Sequence, residues 1–257
     1  MARIKSATDI EALREGGIRL GRVLVALKKA TKAGISTQEL NTLADRMIRE
    51  GGDTPAFLNY RPEGAPRPFP AALCLSINDE IVHGIPNENP VELVEGDIVG
   101  FDLGLVHEGL VVDSAITVPV GNADAEALRL IAATEEGLTA GIKAARGGAR
   151  IGDISAAIQE VATKYGYGAP WELGGHGVGH KVHEEPFVPN LGKRGTGPEL
   201  EPGMVLALEP MFNEGSGDVL VEDDGYTIKT ADGSRSAHFE HTILITEGEA
   251  EILTKRV

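Results

Sequence analysis

The sequence predicts an α+β protein in which two pairs of helices cover a curved, antiparallel-rich sheet, with the chain built as two related halves. Three observations carry this prediction. Segments starting at Glu11 and Glu126 open on the same Glu-Ala-Leu-Arg and continue with the same helix, glycine turn and second helix. Each segment is followed by short β-like runs separated by turn signals, so helices and strands are grouped rather than alternating. No linker-like stretch interrupts the 257 residues, which read as one domain with halves at roughly 1–120 and 121–257.

In chain order, the first helix follows an expected Thr8–Glu11 capping box, and the second follows an expected Ser36–Glu39 box and runs to Gly52. The proline-rich stretch from Arg61 to Pro70 suits a surface loop better than a boundary. Strands are expected at Ala72–Ile77, Ile98–Val106 and Leu110–Thr117, punctuated by Glu95-Gly96-Asp97 and Glu108-Gly109. In the second half, Ile151 falls where Ile35 falls in the first, and Asp153 is placed to cap the shorter helix. Further strands are expected at Gly203–Leu208, Thr227–Thr230 and Phe239–Ile245, with turns at Pro202-Gly203 and Asp224-Gly225.

Composition narrows the function. A net charge of −15 argues against general nucleic-acid binding, which needs a positive surface to displace counterions. Lys28, Lys29 and Lys32 read as a solvated helix face. Met1 to Asp9 has no apolar core, so no signal peptide is expected. No run of about 18 apolar residues exists that would span a membrane. One cysteine, Cys74, cannot staple a chain and fits a reducing compartment, so a cytoplasmic monomer is the default expectation.

The residues that carry chemistry are acidic and misplaced for ordinary strands. Asp102 and Asp113 lie in GDIVGFDLGLVHEGLVVDSAIT, with apolar neighbours on both sides. Strand-flanking aspartates usually cap turns, but a carboxylate inside an apolar run is costly unless its charge is compensated. Glu209 in GMVLALEPM and Glu240 in HFEHTILIT repeat the pattern, so four acidic residues are expected inside four separate strands. Few lysines or arginines lie in these runs, and divalent cations are the simplest compensation. His176, in the glycine-rich GGHGVGHKVHEEP with His180 and His183, is a candidate nitrogen ligand. His83, in NDEIVHGIP, sits at a turn that would project it toward a cavity, although a purely structural role fits the residues equally well.

Taken in order, NDEIVHGIP, GDIVGFDLGL with VVDSA, GGHGVGHKVHEEP, LALEPM and FEHTI resemble the type I methionine aminopeptidases, a duplicated α+β family with the pita-bread fold. The resemblance spans nearly the whole chain. It implies removal of the initiator methionine from nascent chains, with a small second residue preferred. Asp102, Asp113, His176, Glu209 and Glu240 match the metal ligands of two divalent ions, whose identity among Co, Mn, Fe and Zn the donor set leaves open. His83 matches a histidine contacting the substrate's amide nitrogen, His183 one contacting the scissile carbonyl, and Glu209 the carboxylate that takes a proton from water. Two ions about 3.5–4 Å apart can lower the pKa of a bound water from about 15.7 toward 7.

By the same match, Tyr60, Phe69, Cys74 and His83 line the methionine pocket; packing alone would also account for Cys74. Val182 and Tyr226 stand where some relatives carry phenylalanine and tryptophan, and the Arg61–Pro68 loop is longer than in many relatives. Implied partners are nascent N-termini with transient ribosome contact, and no membrane or specific nucleic acid. Two alternatives are weaker. Proline-specific enzymes of this fold carry an added N-terminal domain, for which this chain has no room before its first helix. Non-catalytic relatives lose ligands that are all kept here.

Overall fold

The computed structural model describes residues 4–256, so Met1–Arg3, the start of the polar stretch read above for a signal peptide, lie outside it. Helix α1 (Ala7–Ala30) buries Leu13, Leu20, Leu24 and Leu27, a stripe recurring every three to seven residues. Its capping box is Ser6 and Asp9, not Thr8 and Glu11: the Ser6 hydroxyl accepts from Asp9 N, and Ser6 N donates to the Asp9 carboxylate. The pattern of a hydroxyl three residues before an acid occurs twice in succession, and extended backbone at Ser6 selects the earlier copy. Helix α2 (Thr37–Glu50) starts on the Ser36–Glu39 box, as expected.

The strands of the first half are β1 (Thr54–Pro55), β2 (Cys74–Ile77), β3 (Glu80–Val82), β4 (Ile98–His107) and β5 (Leu110–Pro119). The second half opens with α3 (Ala125–Ala144), capped by Asp124, and α4 (Ile151–Tyr165). Asp153 caps α4 from its third residue, accepting from Arg150 N at 2.8 Å and Gly195 N at 2.9 Å. There follow β6 (Gly174–Gly177), β7 (Glu184–Pro189), β8 (Val205–Leu208), β9 (Met211–Asn213), β10 (Val219–Val221), β11 (Ile228–Thr230), β12 (Ser236–His238), β13 (His241–Leu244) and β14 (Glu251–Ile252).

All strand pairs are antiparallel. In one sheet β4 pairs with β5 on one edge and with β1 and β2 on the other; a second runs β14-β13-β8-β6-β7. Smaller pieces join β10-β11-β3 and β12-β9. The six expected strands are present; β4 and β5 run one and two residues past the expected ends, and the other four are trimmed. The unforeseen ones are two to six residues long, too short for a period-two pattern to register.

One expectation is corrected here. Asp102 and Asp113 lie inside strands, but Glu209 lies just past β8 and Glu240 just before β13. Pro210 has no N–H to extend the ladder, so the β8–β13 pairing stops at Leu208 and His241 and both glutamates fall beyond its end.

Helix α1 packs on β4 and β5, while α3 packs on α4 and reaches β9 and β12. A continuous apolar core runs through both halves. The two helix pairs therefore cover a shared sheet layer, and the carboxylates described below sit inside it.

The N-terminal segment is fastened over the His176–Glu184 loop. Lys5 N donates to Gly203 O, and Lys5 Nζ, on a side chain only 1% exposed, pairs with Glu184 Oε2 at 2.6 Å. Removing one partner strands a buried charge, so Lys5→Met is expected to lower stability by about 3 kcal/mol. Equilibrium urea unfolding reads this directly, and an unchanged midpoint would refute it.

Candidate metal centre

Strand register explains why the donors converge. Asp102 stands opposite Ala115 across β4–β5 and opposite Cys74 across β2–β4, while Asp113 stands opposite Gly104. Asp113 is two residues from Ala115, so both aspartates point from the same face of the sheet. In the second sheet His176 stands opposite Ala207, and the β8–β13 ladder ends one step before Glu209 and Glu240. Donor atoms of Asp113, His176 and Glu240 all lie within 4.8 Å of one another. Glu209 Oε1 is 3.4 Å from His176 Nε2.

The electrostatics of this cluster are unfavourable without a cation. Burial raises Asp102, Glu209 and Glu240 well above the usual carboxylate range, and pushes Asp113 up to about 7. Asp102 Oδ1, Asp113 Oδ1 and Glu240 Oε1 are buried with no hydrogen-bond partner. Burial lowers His176 to about 3, so its ring is neutral. Its Nδ1 lies 2.8 Å from the Gly177 carbonyl, which can only accept, so Nδ1 carries the proton. The Nε2 lone pair therefore faces the carboxylates. Acceptors turned toward one another at this spacing fit divalent cations, and a backbone-oriented imidazole with several carboxylates suits Mn, Fe, Co or Zn.

The remaining predicted residues gather around the cluster. A cavity of about 80 Å³ is bounded by Tyr60, Phe69, Cys74, His83 and His183 together with the acidic residues. Val182 and Tyr226 also line it, as do Phe57 and Pro62, which the sequence did not single out. His83 takes φ 62° just after β3, which turns its ring inward; burial lowers it to about 4. His183 lies edge-on to His176 with ring centroids 4.5 Å apart, and Tyr60 Oη is 3.0 Å from its Nδ1. Beyond these side chains opens a wider cleft of about 650 Å³, which shares His83, His176, His183 and Glu209.

Tyr226 meets the Phe69 ring edge-on at 5.1 Å, and its hydroxyl donates to the Arg67 carbonyl. Arg67 also pairs with Glu88 and donates to Asp224 O, so the Arg61–Pro68 loop rests on the turn that carries Tyr226. His180 does not join the carboxylates; it faces Asp9 and Glu184 at 3.7 and 3.9 Å. Sequence reasoning missed His238, whose buried Nε2 lies 3.7 Å from Glu209 Oε2. Its position two residues before Glu240 in a β-like run was the available signal.

The model of metallopeptidase family M24 matches residues 11–247. The chain is 45% identical over 254 residues to the methionine aminopeptidase of Aquifex aeolicus, covering 97% of each chain. It resembles the crystal structure of the methionine aminopeptidase of Thermotoga maritima with a TM-score of 0.93 at 42% identity, covering 99% of this chain and 100% of that one. A prolidase from Pyrococcus horikoshii shares the architecture at TM-score 0.75 and 21% identity, with this chain spanning 64% of its length.

Proposed function

The chain belongs to metallopeptidase family M24, and on that premise we propose that it hydrolytically removes the N-terminal methionine from nascent proteins and peptides, preferring a small second residue. Near full-length similarity to methionine aminopeptidases supports the reaction. The observation that carries it to particular residues is the convergence of the buried Asp113 and Glu240 and the half-buried Asp102 and Glu209 with the free Nε2 of His176 beside His83 and His183. Asp102 and Asp113 come from the first half, and His176, Glu209 and Glu240 from the second. The two halves thus serve as one catalytic domain.

Asp102, Asp113, His176, Glu209 and Glu240 would hold two divalent ions (Co, Mn, Fe or Zn), which when bound would polarise the scissile carbonyl and acidify water. The methionine side chain enters the small cavity between Tyr60, Phe69 and Cys74, and the rest of the polypeptide lies in the wider cleft.

Burial keeps His183 neutral and raises Tyr60, so the Tyr60 hydroxyl retains its proton. Tyr60 Oη then donates to His183 Nδ1, leaving the His183 proton on Nε2 to donate to the scissile carbonyl oxygen. One such donor is worth roughly 3 kcal/mol in the transition state. Neutral His83 hydrogen-bonds the amide nitrogen of the bond being cut. Glu209, made more basic by burial, takes the proton of the attacking water and delivers it to the leaving amine.

We further infer that the protein works as a cytoplasmic monomer on nascent chains, in transient contact with the ribosome. The single buried Cys74 supports a reducing compartment. No helix among the described residues is long and apolar enough to cross a membrane.

The direct test compares Met-Gly peptides with N-acetylated and Xaa-Pro counterparts. Free methionine should be released only from the unblocked Met-Gly peptides. Preferred cleavage of Xaa-Pro peptides would overturn the proposal.

A further inference from the structure

Asp113 belongs to β5 and Glu240 to the segment before β13, and no strand ladder joins these two elements among the described residues. Their backbones meet instead along an irregular seam of one backbone bond and several side-chain bonds. Ser114 Oγ donates to Glu240 O at 2.7 Å, Glu240 N donates to Ala115 O at 2.9 Å, and Thr242 Oγ1 donates to Asp113 O at 2.7 Å. One charged group crosses the seam. Arg256 Nη2 donates to Ala115 O at 2.7 Å and to Glu240 O at 2.9 Å, gripping one carbonyl from each half.

The rest of the tail explains how a residue so near the C-terminus reaches this position. On α1, Gly17 and Gly21 stand one turn apart, and a Cβ at either would fall 2.2 Å from the carbonyl oxygens of Leu253 and Lys255 respectively. Only glycine lets the tail lie that close to the helix. On the other side Thr254 Oγ1 accepts from Thr242 N at 3.1 Å and lies 2.9 Å from His241 Nδ1. Held between helix and sheet, the tail delivers the guanidinium over the Phe239 ring at 5.8 Å, beside Glu240.

We infer that Arg256 is a positioning residue that fixes the separation of Asp113 and Glu240, and thereby the affinity of the centre for divalent ions. The inference rests on the ligand assignment under Proposed function. The guanidinium's hydrogen bonds reach neither carboxylate; it ties the carbonyl of Ala115, two residues from Asp113 along β5, to that of Glu240. Groups that orient metal ligands in this indirect way commonly control affinity by about 10- to 100-fold.

The test uses full-length protein stripped of metal and titrated with Co(II) by calorimetry, with the visible Co(II) spectrum recorded in parallel. Arg256→Met keeps the aliphatic stem over Phe239 and removes the donors. It is expected to weaken Co(II) binding about 10- to 100-fold and to alter the spectrum, with Arg256→Lys falling between it and the parent. The melting temperature of the metal-free protein separates lost affinity from lost stability. Parent affinity and spectrum in Arg256→Met, while an Asp113→Asn control loses binding, would overturn the inference. Should Arg256→Met not fold, parent affinity in Arg256→Lys overturns it equally. If Asp113→Asn itself binds Co(II) like the parent, the ligand assignment fails instead.

Discussion

Dialysis against EDTA is expected to abolish methionine release, and Mn or Co to restore it. The carboxylates are under-compensated: three of their oxygens lack any hydrogen-bond partner, and among the described residues no lysine or arginine forms a salt bridge with them, the Arg256 guanidinium beside Glu240 offsetting only part of the charge. Metal binding to the folded state alone also stabilises by mass action, about 2.7 kcal/mol at a concentration 100 times Kd. For a chain of this size that is a rise in melting temperature of roughly 5–10 °C.

The metal-free protein should also show a pH dependence that the loaded protein lacks. Asp113 is pushed up to about 7 by burial, against an ordinary aspartate value of 3.8. Between those values the folded state binds a proton that the unfolded state has lost, so stability falls as pH rises from about 4 to 7. Melting curves with and without metal across that range read the difference. A metal-free curve that is flat or rising would contradict the assignment of these carboxylates.

Glu209→Gln should produce the second large effect, a fall in kcat of about 10²- to 10⁴-fold, because the amide cannot take the proton of the attacking water. Burial and the neighbouring Asp102 and Asp113 raise Glu209 well above the usual carboxylate range, so the metal-free protein folds at neutral pH only by protonating it, a cost the amide does not carry. The metal-free variant is therefore expected to melt above the parent, in contrast to the usual cost of altering a buried polar group. Loss of turnover at metal concentrations that saturate the variant, together with a raised metal-free melting temperature, is the combination expected of a ligand that also carries the proton. Parent-like kcat would remove Glu209 from that role.

Much of this was legible in the chain because it depends on local pattern. The helix pairs follow from apolar spacing, and the Ser36–Glu39 box from a four-residue pattern. The aspartate hairpin follows from two apolar runs around Glu108-Gly109. Acidic residues inside apolar runs signalled a cation before any fold was known, since burying such charges unpaired is costly wherever the strands pack. Where two local patterns competed, local reading failed: Ser6–Asp9 and Thr8–Glu11 are both plausible caps, and only the path of the chain past Gly203 chooses between them.

What the sequence by itself determined is the fold class and the duplicated order of elements, each set by neighbours a few positions apart; the donor residues it proposed came from acidic residues in apolar runs and from resemblance to a family. Tertiary structure alone decided which atoms meet. Tyr60 meets His183 across 123 residues, His238 stands behind Glu209, and Arg256 reaches back across 141 residues of chain to Ala115 while also holding Glu240. The seam between β5 and β13 has no regular ladder to predict. Its register is set by how two halves bury a common core, which is a property of packing over the whole domain rather than of any segment.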